Sequence, residues 1–167
     1  TNSGHVRVYN LNGSIWEQLG QDIDGEAADD QSGISVSLSS DGSKVAIGAN
    51  GNDGNGTNSG HVRIYQYNGS NWIQLGSDID GEATYDRSGS SVSLSSDGSI
   101  VAIGSRSNDG NGSYSGHVRI YNFNGSSWVQ LGSDIDGEAA NDSSGYSVSL
   151  SNDGSRVAIG ALYNDGN

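Results

Sequence analysis

The sequence predicts an all-β protein made of one tandem repeat, and three observations lead there. The tripeptide Ser-Gly-His recurs at His5, His61 and His117, a period of 56 residues. Trp16, Trp72 and Trp128 keep that period, as do Gly48, Gly104 and Gly160. Between the glycines run short segments of alternating polar and apolar residues, the mark of half-buried strands, and no segment has a useful helical period. A near-exact internal repeat governs every later inference, because each copy is one structural unit that stacks on its neighbours.

Each unit reads as four strands. Ser35-Val36-Ser37-Leu38-Ser39 alternates with period two. Asp41-Gly42 is a hairpin signal, since glycine supplies the positive φ of a tight turn. Lys44–Gly48 is the second strand, and a Gly/Asn-rich loop runs from Ala49 to Gly60. His61–Tyr65, extended through Gln66-Tyr67, is the third; Asn68-Gly69 turns the chain into the fourth, Trp72–Leu75. The acidic loop Asp78–Gly89 leads into the next copy. Four short antiparallel strands per unit of this size predict blades of a β-propeller type. Val36, Leu38, Val45 and Ile47 fall on one face, with Ser or Ala on the other. Tyr65 and Trp72 suit the wider outer gap between blades, so Trp16, Trp72 and Trp128 are expected in the inter-blade core.

This phase divides the chain into residues 1–32 (strands three and four of a blade, plus the acidic loop), two full units at 33–88 and 89–144, and 145–167 (strands one and two). The two half units can pair as a composite blade. Three blades fall below the usual four to eight. The expectation is therefore a window from a larger propeller or array, an oligomer that completes one, or an open stack growing as a fibre. Self-association, or further repeats of the same chain, is the expected partnership.

Composition narrows the function. The chain has 7 Lys and Arg against 20 Asp and Glu, a net charge of −13. That speaks against a nucleic-acid partner, which needs a basic patch, and suits solubility or cation binding. No segment approaches the length of a membrane helix. There is no cysteine, so disulfides and thiolate metal sites are excluded. No nucleophile elbow or other catalytic constellation stands out, and near-equal copies argue against a single asymmetric active site. The residues that break the threefold pattern, such as Arg87, Arg106, Tyr114 and Tyr163, form no known catalytic set. The expectation is a protein that is not an enzyme.

The run Ser32-Gly33-Ile34-Ser35-Val36-Ser37-Leu38-Ser39-Ser40-Asp41-Gly42-Ser43-Lys44-Val45-Ala46-Ile47-Gly48-Ala49, then a loop and Ser-Gly-His-Val-Arg, resembles the FG-GAP repeat of integrin-α-type β-propellers. It is closer still to short variants in bacterial and algal surface proteins. Ser32-Gly33 stands at the family's Phe-Gly position. Gly48-Ala49 stands at its Gly-Ala-Pro ending, without the proline. The resemblance implies an extracellular or cell-surface module with a structural or adhesive role, binding a protein or glycan; the alternative is a segment of a polymeric filament or sheath. It also implies calcium in the turn between strands one and two. Here that turn is only Ser40-Asp41-Gly42-Ser43, repeated as Ser96–Ser99 and Asn152–Ser155. One carboxylate falls short of the six to eight oxygens calcium takes, so that site is not carried over.

The acidic loops are the other candidate for calcium. They offer Asp22, Asp24, Glu26 and Asp30; Asp78, Asp80, Glu82 and Asp86; and Asp134, Asp136, Glu138 and Asp142. Up-and-down strand order puts these loops on the same end as Asp53, Asn108-Asp109 and Asp165. Oxygen clusters suit hard cations; the competing reading is that Asp and Gly simply build turns. His5, His61 and His117 are expected to make structural hydrogen bonds, and Arg7, Arg63 and Arg119 to pair with a carboxylate or stack on a ring of a neighbouring blade. Sequons stand at Asn12, Asn55, Asn68, Asn111, Asn124 and Asn141, glycan acceptors in a secreted eukaryotic protein.

Overall fold

The alternating segments form antiparallel sheets, seen in a computed structural model that describes residues 1–166. Asn167, the last residue of the unit read as 145–167, lies outside the described residues. The strands are β1 (His5–Val6), β2 (Tyr9–Asn12), β3 (Ile15–Gln18) and β4 (Ile23–Asp24), then β5 (Ser35–Leu38), β6 (Lys44–Ala49), β7 (His61–Tyr67), β8 (Trp72–Gln74) and β9 (Ile79–Asp80). The next copy gives β10 (Ser88–Leu94), β11 (Ile100–Ser105), β12 (His117–Phe123), β13 (Trp128–Gln130) and β14 (Ile135–Asp136), followed by β15 (Ser144–Leu150) and β16 (Val157–Ala161). No helix occurs among the described residues.

Two complete sheets run β5-β6-β7-β8 and β10-β11-β12-β13. Each carries an extra two-residue strand, β9 or β14, which folds back from the acidic loop onto the start of β7 or β12. The sequence reading placed those residues in a loop, because two residues carry no period. At the amino end the third strand is broken into β1, paired with β4, and β2, paired with β3. Its counterparts β7 and β12 stay continuous because β6 and β11 hydrogen-bond along their length.

Register explains the two-sided core. Leu38 lies opposite Val45 and Val36 opposite Ile47, and Val45 lies opposite Tyr65, so these side chains share one face. Val45, Ile47, Tyr65 and Trp72 cluster with Val6, Val8 and Ile23 of the preceding copy. The other face of the same sheet, with Ala46, Val62 and Ile64, packs on Val92, Leu94, Val101, Ile103 and Tyr121 of the next. Each sheet is thus a filling between two others, which is why apolar residues occupy both its faces.

The sheets also bond through polar atoms. Ser35 Oγ donates to the Gly89 carbonyl and Ser91 Oγ to the Gly145 carbonyl, both at 2.8 Å. Ser37 Oγ accepts from Leu94 N and Ser93 Oγ from Leu150 N, both at 3.0 Å. At the turns, Ser40 N donates to Ser96 O and Ser96 N to Asn152 O, each at 2.8 Å. Serine on this face is therefore a repeat-to-repeat connector. A larger side chain would hold the sheets too far apart for these bonds. Gly48 and Gly104 serve the same close approach: a Cβ on either would fall on the carbonyl oxygen of Gly89 or Gly145.

The hairpin turn contains Gly42 at φ +70°. Asp41 accepts from Ser43 N at 2.9 Å and from the Ser39 hydroxyl at 2.7 Å. Asp97 and Asp153 repeat the arrangement. These hydrogen bonds to the ionised form pull all three carboxyls from 3.8 down to about 2. Because the folded values lie below the unfolded one, the turns contribute stability above about pH 4 that is lost as pH falls towards 2. The melting temperature is expected to drop across that interval. It should drop less in the triple variant D41N/D97N/D153N; an equal drop would show that the turns contribute none of it.

Candidate functional site

The conserved text of the repeat builds a polar junction between successive copies. Arg63 leaves β7 and reaches back to the preceding acidic loop, where Nη2 donates to Asp24 O at 2.9 Å and Nη1 lies 3.2 Å from Glu26. Arg119 does the same with Asp80 O at 2.8 Å and Glu82 at 3.5 Å. Each guanidinium also lies 5.6 Å from its own sheet's Tyr65 or Tyr121 ring. The carboxylate pairing expected of these arginines is present, across copies; the ring each one meets belongs to its own strand and not, as expected, to a neighbouring blade.

Beside each arginine stands a buried histidine. His61 Nδ1 lies 3.6 Å from Asp78, and His117 Nδ1 lies 3.7 Å from Asp134 and 3.9 Å from Glu82. The structural hydrogen bonds expected of these histidines do not form. Neither Nε2 has a partner among the described residues, and both Nδ1 contacts are longer than a hydrogen bond. Burial pushes both imidazoles below their ordinary value, against the opposing pull of Asp78 and Asp134, so they are neutral at pH 7. His5, at the exposed amino end, instead accepts from Arg7 Nε at 3.1 Å.

Glu26, His61 and Asp78 bring three donor atoms within 4.8 Å of one another, and Glu82, His117 and Asp134 repeat the set. One neutral imidazole and two carboxylates suit a transition-metal or zinc ion better than the all-oxygen shell of calcium. Sequence reasoning missed these sets because the glutamate comes from the copy before the histidine.

The remaining acidic residues do other work. Asp22, Asp78 and Asp134 accept from Gln18, Gln74 and Gln130 at 2.6–2.7 Å. Asp30, Asp86 and Asp142 are buried and cap Ala27 N, Ala83 N and Ala139 N. They also accept from Asn52, Asn108 and Asn164 of the other long loop. Asp24 and Asp80 contribute backbone carbonyls to the arginines; Asp136 lies 4.0 Å from His117. Glu138 meets Asn164 at 3.4 Å.

Among the sequon residues, Asn55 and Asn111 spend the side-chain amide on two carbonyls, Gly81/Glu82 and Gly137/Glu138. Asn12 donates to Glu17 at 3.1 Å. Asn68 and Asn124 are exposed in hairpin turns that their Oδ1 atoms brace. Asn141 is exposed at φ +70°.

Trp72 is 3% exposed, and its indole N–H donates to Leu19 O at 2.7 Å; Trp128 donates likewise to Leu75 O. Trp16 departs from the expected core position at 64% exposure, since its carbonyl partner would belong to a preceding copy.

A second feature lies on the long-loop end. A cleft of about 590 Å³ is lined by Arg87, Arg106, Ser107, Tyr114, Asn141, Ser143 and Tyr163. The four pattern-breaking residues singled out in the sequence all meet there.

Residues 23–65 match the family model described as an FG-GAP repeat. That segment is thus an FG-GAP-like repeat, as its Ser-Gly to Gly-Ala text indicated, and its near-copies follow along the chain. FG-GAP repeats are in general non-enzymatic and typically occur in extracellular or surface proteins. No curated protein matches the chain.

Proposed function

We propose that this chain is a non-enzymatic extracellular repeat module, made of blades of β-propeller type, with a structural or adhesive role. Its constant residues build the scaffold and its long-loop end holds a protein or glycan partner. One observation supports this above the others: every residue lining the cleft on that end stands at a position where the copies differ, although most positions of the repeat are the same in all three.

A second reading is favoured by a different observation. Ile34, Val36 and Leu38 are half exposed, whereas Val92 and Leu94, the counterparts of the last two, are buried against the preceding sheet. That open apolar face takes another repeat, in the same chain or in a second copy. Repeated without end, this contact is a filament or sheath. In either assembly a divalent cation belongs where acidic-loop carboxylates meet a histidine, at the Glu–His–Asp junctions, and glycans, if the source adds them, at the exposed turn residues Asn68 and Asn124.

Electron microscopy with measured particle mass, run beside binding to immobilised extracellular proteins and polysaccharides, separates the two. Discrete particles with saturable binding are expected. Long filaments that bind nothing would transfer the function to the polymer itself.

A further inference from the structure

The three copies can be laid over one another position by position, and most of the 56 positions carry the same residue each time. The cleft is lined only by the others. Arg87 and Ser143 share one repeat position, which is Gln31 in the first copy. Ser107 and Tyr163 share another, Gly51 in the first copy. Arg106 replaces Asn50 and Leu162; Tyr114 replaces Asn2 and Asn58; Asn141 replaces Asp29 and Tyr85. A neighbouring groove continues the pattern with Ile34, Ser90 and Tyr146, which share one repeat position, beside Asn50 and Arg106. Arg106 lines both, 5.8 Å from the Tyr146 ring. The two hollows form one strip that crosses from copy to copy.

Its chemistry is unlike the rest of the surface. The chain carries a net charge of −13, yet no carboxylate lines the strip. Arg87 and Arg106 are half-buried, and neither guanidinium has an ion-pair or hydrogen-bond partner among the described residues. The framework arginines Arg63 and Arg119 show the alternative, each with a glutamate within reach. Two half-buried guanidiniums left without anions point to an anion that comes from outside. Around them Tyr114, Tyr146 and Tyr163 are 54%, 44% and 64% exposed. Exposed tyrosines are broad, stiff surfaces with an apolar body and a polar tip.

The backbone adds an independent argument. Arg87 and Tyr114 sit at φ +57° and +55°. The copy before has Gln31 and Asn58 there, at +58° and +49°. Asparagine is enriched in this left-handed conformation and tyrosine is not, although Tyr85, outside the cleft lining, adopts it too at φ +69°. Replacing Asn by Tyr at such a place goes against local preference, and no compensating contact for its hydroxyl exists among the described residues. Departures of this kind mark functional positions.

We infer that the strip is a binding site for a linear acidic polysaccharide, whose sugar rings lie on the tyrosines while its carboxylate or sulfate groups are held by Arg87 and Arg106. This inference rests on the binding-module reading and names its ligand class. A rope-like partner fits a strip that crosses copies, and an anionic one fits a basic island on an acidic body. An acidic peptide offers the same charges without rings to cover the tyrosines.

The test uses the whole chain with four immobilised polymers: polygalacturonate, dextran sulfate, plain dextran and poly-glutamate. Binding is expected to one or both acidic polysaccharides, and to neither of the others. R87Q/R106Q should weaken it at least tenfold, and Y114A/Y163A comparably, with melting temperatures within a few degrees of the parent. R156Q, outside the strip, should bind as the parent does. Preference between polygalacturonate and dextran sulfate identifies the acid group. Unchanged affinity in R87Q/R106Q, or equal binding of poly-glutamate, overturns the assignment. Binding of none of the four overturns this ligand class; the module reading falls only if the wider panel of extracellular proteins and polysaccharides is also not bound.

Discussion

Gly104→Ala is expected to destabilise the protein by about 3 kcal/mol or more, the upper range for forcing atoms into a packed interior. The added methyl would land on the Gly145 carbonyl oxygen, which belongs to backbone and cannot swing aside. That oxygen is also held by the Ser91 hydroxyl at 2.8 Å, so moving it breaks an inter-sheet bond. Gly48→Ala should behave alike, because its methyl would meet Gly89 O. Gly160 is the internal control. It occupies the same repeat position, but its methyl would meet only the rotatable Ser147 hydroxyl. There alanine should be neutral, or slightly stabilising through the roughly 0.5–1 kcal/mol that glycine costs a strand. Urea unfolding of the three variants decides it. Similar midpoints for all three would mean that close sheet approach is not what these glycines serve.

Trp72→Ala should cost about 3–5 kcal/mol, the usual loss for a large aromatic deleted from a core. For a chain of this size that corresponds to a melting temperature lower by roughly 8–16 °C. Trp72 is packed at 5.3 Å from the Tyr67 ring, and its loss also strands the Leu19 carbonyl. Trp16→Ala, at the matching position, should change stability by no more than about 0.5 kcal/mol, as exposed substitutions do. The contrast tests the stacking directly, since the two residues differ in neighbours and not in kind. Equal effects would mean that the copies do not pack as described.

Much of the fold was legible because its signals are local. Val36 and Leu38 alternate with serine, and the strand forms there. Asp41-Gly42 and Asn68-Gly69 mark turns, and hairpins form there, although the first turn runs from Ser39 to Ser43 and is wider than a two-residue loop. What escaped was short or spanned two copies. Ile79-Asp80 is too brief to show a period. Glu26 and His61 are separated by the rest of an acidic loop, two strands and the Gly/Asn-rich loop, so nothing in their spacing announces that they meet. The expected hydrogen bonds of His61 do not form because its ring is buried beside carboxylates that lie beyond bonding distance. The cleft residues carried a readable signal after all. Arg87, Arg106, Tyr114 and Tyr163 stand out together in the sequence as exceptions to the repeat, and the seven residues of the cleft fall on five repeat positions.

The turn-to-turn bonds from Ser40 to Ser96 and from Ser96 to Asn152 join atoms one full period apart. A unit therefore accepts on a turn carbonyl from the unit behind it and donates the amide N–H of the same residue to the unit ahead, so every junction is the same head-to-tail pair. Genetic unequal crossing-over, which near-identical DNA repeats invite, would insert or remove whole units whose new neighbours already fit. Such a lineage can change its length in one step without passing through a misfolded intermediate, and can then diversify positions that the stacking does not use, those lining the cleft among them.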